Sequence, residues 1–486
     1  MSQHQHVDLS RIARETMLEQ GFHPDIPVKV HQEAQQIDGS AAIANSGARD
    51  LRHLLWSSID NATSRDLDQI EFITKEADLF KVLIGIADVD AFTEKGSAID
   101  DYAAENTTSV YTGVKTFPML PEELSTDKSS LLEGQDRLAV VIEMNVTPDG
   151  SVTTRDVFRA LVCNKAKLSY ESIGTWFDAD GVIPDEVSRV KSLEAQLRLQ
   201  LEVAQYLNAA RKQQGALRLD TNQATPLVDD LQRIVDFSVD ERNSARDLIE
   251  NFMVAANGAM AEFLDRRGVP SIHRVVKTPE NWPRIREIAS EVNDDLPDAP
   301  DALALSEFLE RRRAADPDRF PDLSLAVVKL LGPGDYVVQI PGKESGGHFG
   351  LAVHRYTHST APNRRYADLI TQRLLKGLVS GNGSPYTTDE LEEIVNHCND
   401  RESAARKVER KMRKVAAAVF MTNRIGDEFK AIVTGVTPKG TFARILKPPV
   451  DGMVVRHEHG LKVGQKIRVK LLSTDPQRGY IDFAAI

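Results

Sequence analysis

Apolar and polar residues follow different rhythms along this chain of 486 residues. Residues 51–165 favour the short rhythm of strands. Ile70-Glu71-Phe72-Ile73 and the run from Phe80 to Ala87 flank a polar turn, and residues 139–146 and 151–163 flank Pro148-Asp149-Gly150, a hairpin composition. From about residue 190 the spacing is helical. Residues 190–214 are amphipathic and end at Gly215, while 241–267 carry Leu248, Phe252, Ala255, Met260 and Phe263 and end at Gly268-Val269-Pro270. Shorter helices are predicted at 281–293, 302–314 and 323–331. Pro362 suits the first turn of a helix reaching Leu378. Thr387 and Glu390 have capping-box spacing at the head of another, reaching about Asn423.

The two ends of the chain differ from this body. Residues 9–20, 28–37 and 41–45 predict short helices, the first closed by Gly21. They suit either a small helix-turn-helix-like unit or an arm packed on the next domain. The last sixty residues return to strands, at 429–436, 441–446, 452–455, 463–472 and 480–483, with Thr437-Pro438-Lys439-Gly440 as a turn. Five short strands with such turns make a small OB-like barrel. The expected fold class is α+β: a helical region over 1–50, a mixed sheet surrounded by helices over 51–425, and an OB-fold barrel over 426–486.

Composition and charge narrow the class. With 41% hydrophobic and 27% charged residues the chain has the make-up of a soluble globular protein. No run of about 18 uncharged apolar residues predicts a transmembrane helix. Met-Ser-Gln-His-Gln-His at the start lacks the basic region and apolar core of a secretory signal. Cys163 and Cys398 are the only cysteines, far apart and without metal spacing, so a reduced, cytoplasmic setting is expected. The net charge of −12 is uneven: residues 401–486 hold 18 Lys/Arg against 8 Asp/Glu, or +10, which leaves 42 against 64, or −22, elsewhere. A basic end on an acidic body is the electrostatic footprint of a polyanion-binding surface.

The candidate chemistry lies in Ile59-Asp60-Asn61-Ala62-Thr63-Ser64-Arg65-Asp66-Leu67-Asp68-Gln69, the end of one strand passing into a hairpin. Asp66 and Asp68 share a face in an extended chain, and Asp60 can fold back through the Asn/Thr/Ser turn. Clustered carboxylates repel unless a cation lies between them, and hard oxygen ligands suit Mg²⁺ or Mn²⁺. Such an ion polarises a phosphoryl oxygen. Taken alone, three aspartates also fit a polar surface turn. His348, His354 and His358 have no Cys or Glu partners at zinc spacing and are expected to be structural or solvent-facing.

Further motifs follow in order: Ile86-Ala87-Asp88-Val89, Gly96-Ser97 with Asp100, Thr108-Ser109-Val110-Tyr111, Pro118-Met119-Leu120-Pro121, Lys165-Ala166-Lys167-Leu168-Ser169-Tyr170, Phe252-Met253-Val254-Ala255-Ala256-Asn257, His348-Phe349-Gly350-Leu351-Ala352, and Tyr356 to Leu369 with Thr357-His358-Ser359-Thr360-Ala361-Pro362-Asn363-Arg364-Arg365. With these the chain resembles the ribonuclease II / ribonuclease R family of RNA exonucleases over roughly residues 50–486. Its aspartates fit the signature I-D-x5-D-x-D-D at Ile59, Asp60, Asp66 and Asp68. The resemblance implies an RNB catalytic domain followed by an S1-type OB domain. It also implies hydrolysis of single-stranded RNA from the 3′ end, releasing nucleoside 5′-monophosphates with Mg²⁺ (Mn²⁺ can substitute). Asp60, Asp66 and Asp68 would hold the metals, with Asp68 the carboxylate tied most directly to catalysis. Arg364 would contact the scissile phosphate beside Arg365, just after the Pro362 helix start, where free backbone N–H groups favour an anion. Tyr111 and Tyr170 match aromatic positions near the 3′-terminal nucleotides, and Glu409 matches more loosely a nucleotide-contacting glutamate. Bland roles stand beside these: core packing for the tyrosines, a helix-end ion pair for Arg364-Arg365, and a solvated surface for the basic stretch 401–414. Phe442 suits either base stacking or the barrel core.

The chain departs from the family pattern at three places. Gln69 stands where a fourth aspartate is usual; its amide oxygen can ligate a metal but brings no charge, which puts a second ion in question unless Glu71 or Asp88 compensates. Ala361 and Asn363 replace the Ser and Ile of the usual S-P-I-R-R run, with both arginines kept. About fifty residues precede the catalytic domain, so the barrel and a small N-terminal piece are expected to gate RNA entry. Two functions fit: a monomeric, processive 3′→5′ exoribonuclease in RNA turnover, or an RNA-binding protein on a catalytically weakened RNB scaffold. Neither involves a membrane. Retention of Asp60, Asp66, Asp68 and Arg364 favours the enzyme.

Overall fold

The computed structural model describes residues 7–44, 46–179, 181–220, 224–229, 233–239, 242–317, 319–343 and 346–486. Its centre is a seven-stranded sheet ordered Arg49–Asp50, Val152–Cys163, Asp136–Val146, Leu79–Ala87, Gln69–Glu76, Ser57–Asp60, Ala166–Ser169. The four middle strands are two antiparallel hairpins, joined by Leu79–Ala87 alongside Asp136–Val146. Both were legible from period and turn. Gly150 sits at φ +79° in the Pro-Asp-Gly turn, a left-handed conformation that glycine adopts without strain. Leu79–Ala87 is buried at its last six positions, as expected of an inner strand covered on both faces. The short outer strands pair in parallel, Arg49–Asp50 with Val152–Cys163 and Ser57–Asp60 with Ala166–Ser169.

Helices cover the sheet. Leu193–Gln213 caps its Gln69–Glu76 strand through Gln196, whose amide accepts from Ile73 N at 2.7 Å and donates to Ile73 O at 2.9 Å. Ser244–Arg266 begins at Asn243, which accepts from Arg246 N, and buries Leu248, Phe252, Met260 and Phe263. Glu241, its expected first residue, lies outside the described residues. Thr388–Met421 opens with the Thr387/Glu390 capping box. Trp282–Ser290, Ala302–Ala315 and Phe320–Leu331 pack together around Ile285, Phe308 and Val327.

The expected helix over 362–378 is corrected: it runs Tyr366–Val379, with Arg365 as N-cap. Residues 361–364 instead form a turn, in which Arg365 N bonds Ala361 O at 3.0 Å. Tertiary pairing holds the chain out of the helix there, because Ser109 N donates to Arg364 O (3.0 Å) and Tyr366 N to Thr107 O (2.8 Å). Arg364 therefore stands before the helix, not in its first turn.

At the N-terminal end, Leu9–Glu19, Val28–Gln36 and Gly39–Ala44 are helical; Asn45, the expected end of the third, lies outside the described residues. They bury their apolar faces on different parts of the body. Leu9, Ile12, Ala13 and Met17 meet Ala404, Val408 and Met412 of the long helix, while Val30 and Ala34 join the sheet core. At the other end, Glu428–Thr437, Gly440–Ile445, Val450–Arg456, Lys466–Asp475 and Tyr480–Ala485 close a barrel around Ala431, Ile445, Val469 and Phe483. Ala418 and Met421, at the end of the long helix, join that core. Among the described residues no helix is long and apolar enough to cross a membrane.

Candidate active site

Three segments converge at one end of the sheet. The first is the aspartate loop. Ser57–Asp60 ends beside Ser169, and Lys167 from that parallel partner donates to Ala62 O at 3.0 Å, pinning the turn that follows Asp60. Buried Leu67 anchors the return: its N donates to Ser130 Oγ at 2.9 Å and its carbonyl accepts from Leu131 N at 3.0 Å. The carbonyl of Asp68 then accepts from Ala87 N at 2.9 Å, so the loop enters the hairpin already fixed.

The second segment runs from Tyr356 to Arg365 and hangs on Asn257. That amide accepts from Ser359 N (2.8 Å) and Ser359 Oγ (2.9 Å) and donates to Tyr356 Oη (3.1 Å). Asp368, fully buried, accepts from Ala361 N at 2.8 Å and takes the Arg365 guanidinium as a fork, 2.8 Å on each side. Arg365 is thus committed to the ion pair at the helix start. The third segment carries Tyr111 on the Val110–Tyr111 strand; Glu409 of the long helix accepts from Tyr111 N at 3.2 Å and holds that strand in place.

At the meeting point Asp68 is buried, and its Oδ1 accepts from Asn363 N (3.3 Å) and Asn363 Nδ2 (3.0 Å) while Oδ2 accepts from Arg364 Nε (3.3 Å). Asn363 is itself fixed by Ser129 Oγ, which donates to its Oδ1 at 2.6 Å. Burial pushes the Asp68 carboxyl up to about 7 against the pull of Arg364, with Asp66 adding to the rise. Burial and the neighbouring Asp60 also raise Asp66. Arg364 keeps 48% of its side chain exposed, and its two terminal nitrogens carry no hydrogen bond. Tyr111, 43% exposed, lies within electrostatic reach of Arg364, Asp66 and Asp68, and Tyr170 within reach of Asp60 and Arg364. The guanidinium of Arg246 stacks over the Tyr170 ring at 4.6 Å.

The expected residues Asp60, Asp66, Asp68, Arg364, Tyr111 and Tyr170 therefore gather at one place. Gln69 is buried beside them, its Nε2 3.5 Å from Ile59 O. Phe442 does not join them: it lies half-buried on the barrel, its ring near Gly435. Asn363, Asp368 and Asn257 are the residues that motif reading quoted without assigning work to them; their buried side-chain bonds appear only in three dimensions. Among the described residues His348, His354 and His358 do not gather into a metal-binding group. Among the described residues no three His, Cys, Asp or Glu side chains stand close enough to hold an ion as they are. The donor set nevertheless fits a hard divalent cation: Asp60, Asp66 and Asp68 form an electrostatically linked series, and Glu71 adds a buried carboxyl, also raised by burial and Asp60, neither oxygen of which has a partner.

Comparison with known proteins places this geometry in a class. Residues 48–381 match the RNB domain and residues 427–486 the RNase II-type exonuclease C-terminal S1 domain. The chain belongs to the RNB-domain family of RNase II-type exonucleases, as its motifs implied. Ribonuclease R of Thermotoga maritima is 28% identical over 501 residues, taking in 95% of this chain and 68% of that protein. Ribonuclease R of Escherichia coli is 30% identical over 428 residues, 85% of this chain and 51% of the other, so the chain spans about half to two thirds of these relatives' lengths. Among solved structures, Mycoplasma genitalium RNase R in complex with ribose methylated single-stranded RNA superimposes with a TM-score of 0.89, covering 99% of this chain and 78% of that one. At 23% identity that likeness is one of fold.

Proposed function

We propose that this chain is a 3′→5′ exoribonuclease that degrades single-stranded RNA processively to nucleoside 5′-monophosphates, with Mg²⁺ or, in its place, Mn²⁺. The observation that carries the reading is the Asp68–Arg364 pair: a buried carboxylate beside a guanidinium whose exposed end is uncommitted. A free guanidinium fork is matched to a phosphate, which it grips bidentately without losing charge. Its role is to hold the scissile phosphate and stabilise the negative charge that develops on its oxygens. Asp60, Asp66, Asp68 and the Gln69 amide are the oxygen ligands at hand for Mg²⁺. Bound there, the ion supplies Lewis-acid polarisation of the phosphate and a lowered pKa for water. Asp68, buried against Asn363, is held in one orientation toward the reacting phosphate. Tyr111 and Tyr170 stack on the terminal bases, and Glu409 acts on the nucleotide path through the strand it holds. Arg365 supports the turn through Asp368. The S1-type barrel, with Phe442 and the basic terminal stretch, gathers the incoming strand. The protein works as a monomer in the reduced cytoplasm, where its two unpaired cysteines persist.

The test is a 5′-labelled single-stranded RNA of about thirty nucleotides, ample for a channel plus one OB fold. A ladder collapsing to a short product with Mg²⁺, and intact RNA with EDTA, is expected. Asp68→Asn is expected to abolish shortening while leaving the gel shift. RNA shifted but never shortened by the wild type would instead establish a binding protein on a weakened scaffold, the reading that Gln69 favours.

A further inference from the structure

The missing fourth aspartate raises the question of what, in this chain, supplies its charge. Two buried carboxylates lie near enough in sequence. Asp88 is spoken for: Arg159 Nε donates to Oδ2 at 2.8 Å and Lys376 Nζ to Oδ1 at 3.0 Å. Glu71 is different. It is fully buried, two residues beyond Gln69 and so on the same face of the Gln69–Glu76 strand, and opposite Ser57 of the strand that ends at Asp60. Among the described residues neither of its carboxylate oxygens has a hydrogen-bond donor. Nearby Gln200, whose Nε2 lies 3.4 Å from both Glu71 O and Ser57 Oγ, also has a buried Oε1 without a donor. Asp60 and the Tyr170 hydroxyl are within electrostatic reach of Glu71.

Buried acceptors in excess of donors are costly in protein alone, because an unpaired polar group forfeits its hydration without return. An aliphatic residue would suit an inner strand position better. A cation removes the deficit, as it satisfies acceptor oxygens without needing donors.

We propose that Glu71 is a metal-ligating residue of this chain, completing with Asp60 and the Gln69 amide oxygen a divalent-cation site that replaces the carboxylate absent at position 69. Two residues along a strand is about 6.7 Å, so Glu71 would reach an ion from further along the strand than an aspartate at 69 would. As a neutral ligand Gln69 would add no charge of its own, which limits the repulsion among neighbouring carboxylates. The proposal rests on the exonuclease reading for its biological sense but not for its test.

Mn²⁺ is titrated into the full-length, RNA-free protein at neutral pH, and bound ion is counted from the loss of the free-ion electron paramagnetic resonance signal. Wild type is expected to bind two ions. Glu71→Gln is expected to weaken one of them about tenfold or more, as ligand charge falls by one, and Gln69→Asp in the Glu71→Gln background to restore it. Equal Mn²⁺ binding by wild type and Glu71→Gln overturns the proposal and leaves Glu71 a neutral filler donating to Gln200. Should Glu71→Gln fail to fold, Fe²⁺-directed hydroxyl-radical cleavage of the wild type decides. Cuts at both 58–61 and 69–72 support the site, and cuts confined to 63–68 overturn it. Two bound ions without RNA shortening would sink the exonuclease reading alone; shortening with one bound ion would sink only this one.

Discussion

His273 offers a sharp test of how the segment bearing Arg364 is held. It lies on Ser271–Val275, the strand that fixes that segment: Arg274 N donates to Tyr356 O at 2.7 Å, and Ile272 O accepts from Thr357 Oγ1 at 2.6 Å. The imidazole is 1% exposed and, among the described residues, neither ring nitrogen has a partner. Burial pushes its pKa down from 6.5 to about 4, with Asp265 opposing and Arg355 assisting. The folded protein therefore keeps His273 neutral where the opened chain takes up a proton. For a base whose folded pKa is depressed, stability is intact above 6.5 and is lost as pH falls toward 4. Between pH 7 and pH 5 the linkage amounts to about 2 kcal/mol, approaching roughly 3 kcal/mol by pH 4. The perturbation is His273→Leu, close in volume and without nitrogens to desolvate. Amide exchange of the Ser271–Val275 strand, corrected for its intrinsic pH dependence, reads the local opening free energy at both pH values. Wild type should lose about 2 kcal/mol more than the variant on going from pH 7 to pH 5. At pH 7 the variant should open no more readily than wild type, since two unpaired nitrogens have been removed. Equal pH sensitivity in the two proteins would refute the assignment.

Asn363→Ile removes the Nδ2 donor from Asp68 but leaves the backbone N; one charge-assisted hydrogen bond is worth about 1.5–3 kcal/mol, so single-turnover RNA cleavage should slow about tenfold or more, and an unchanged rate would show that the backbone contact suffices. Arg364→Lys keeps a charge but loses the fork, and its kcat should fall by about 10- to 100-fold, matching roughly 1.4–2.7 kcal/mol; wild-type turnover would remove Arg364 from the phosphate. Asp88→Asn leaves Arg159 without its buried carboxylate and Lys376 with Asp90 alone (2.8 Å), and should destabilise by about 3 kcal/mol in thermal melts, with Mn²⁺ binding unaffected. The two cations hold the Asp88 carboxyl below its usual range despite burial, so its contribution is present above about pH 4 and disappears only as pH falls through the depressed value.

What was legible in the chain is what local chemistry dictates. The Thr387/Glu390 box, the Pro-Asp-Gly hairpin and the five barrel strands announce themselves within a few residues, and all formed, the fourth barrel strand displaced from the expected 463–472 to Lys466–Asp475. The aspartates and Arg364 were legible as a motif, whereas their setting was not. Ser271–Val275 pairs with Asp335–Gln339, some sixty residues away, and no local period reports such a partner. The turn over 361–364 overrides a helix signal at Pro362 because Thr107 and Ser109 claim the backbone around Arg364. Glu71 was legible only as one of two carboxylates, with Asp88, that could make up for Gln69, and its burial without a donor is what sets it apart from the paired Asp88.

The departures at Gln69 and Asn363 are better understood together than as separate losses. Asn363, standing where the family usually has an aliphatic residue, gives Asp68 a second donor from one residue and is itself gripped by Ser129. Gln69 withdraws a charge from the same cluster, while Glu71 brings a carboxyl group two residues further along the same face of the strand. A site drifting toward a mere RNA clamp would shed donors and carboxylates without replacing them, because nothing would offset the cost of a buried unpaired carboxyl at position 71. With Glu71 ligating as proposed, a carboxylate is supplied in place of the one absent at position 69, and Asn363 gives Asp68 two donors. Both changes preserve the electrostatics that phosphodiester hydrolysis requires: negative charge to hold cations, and one fixed carboxylate beside an uncommitted guanidinium.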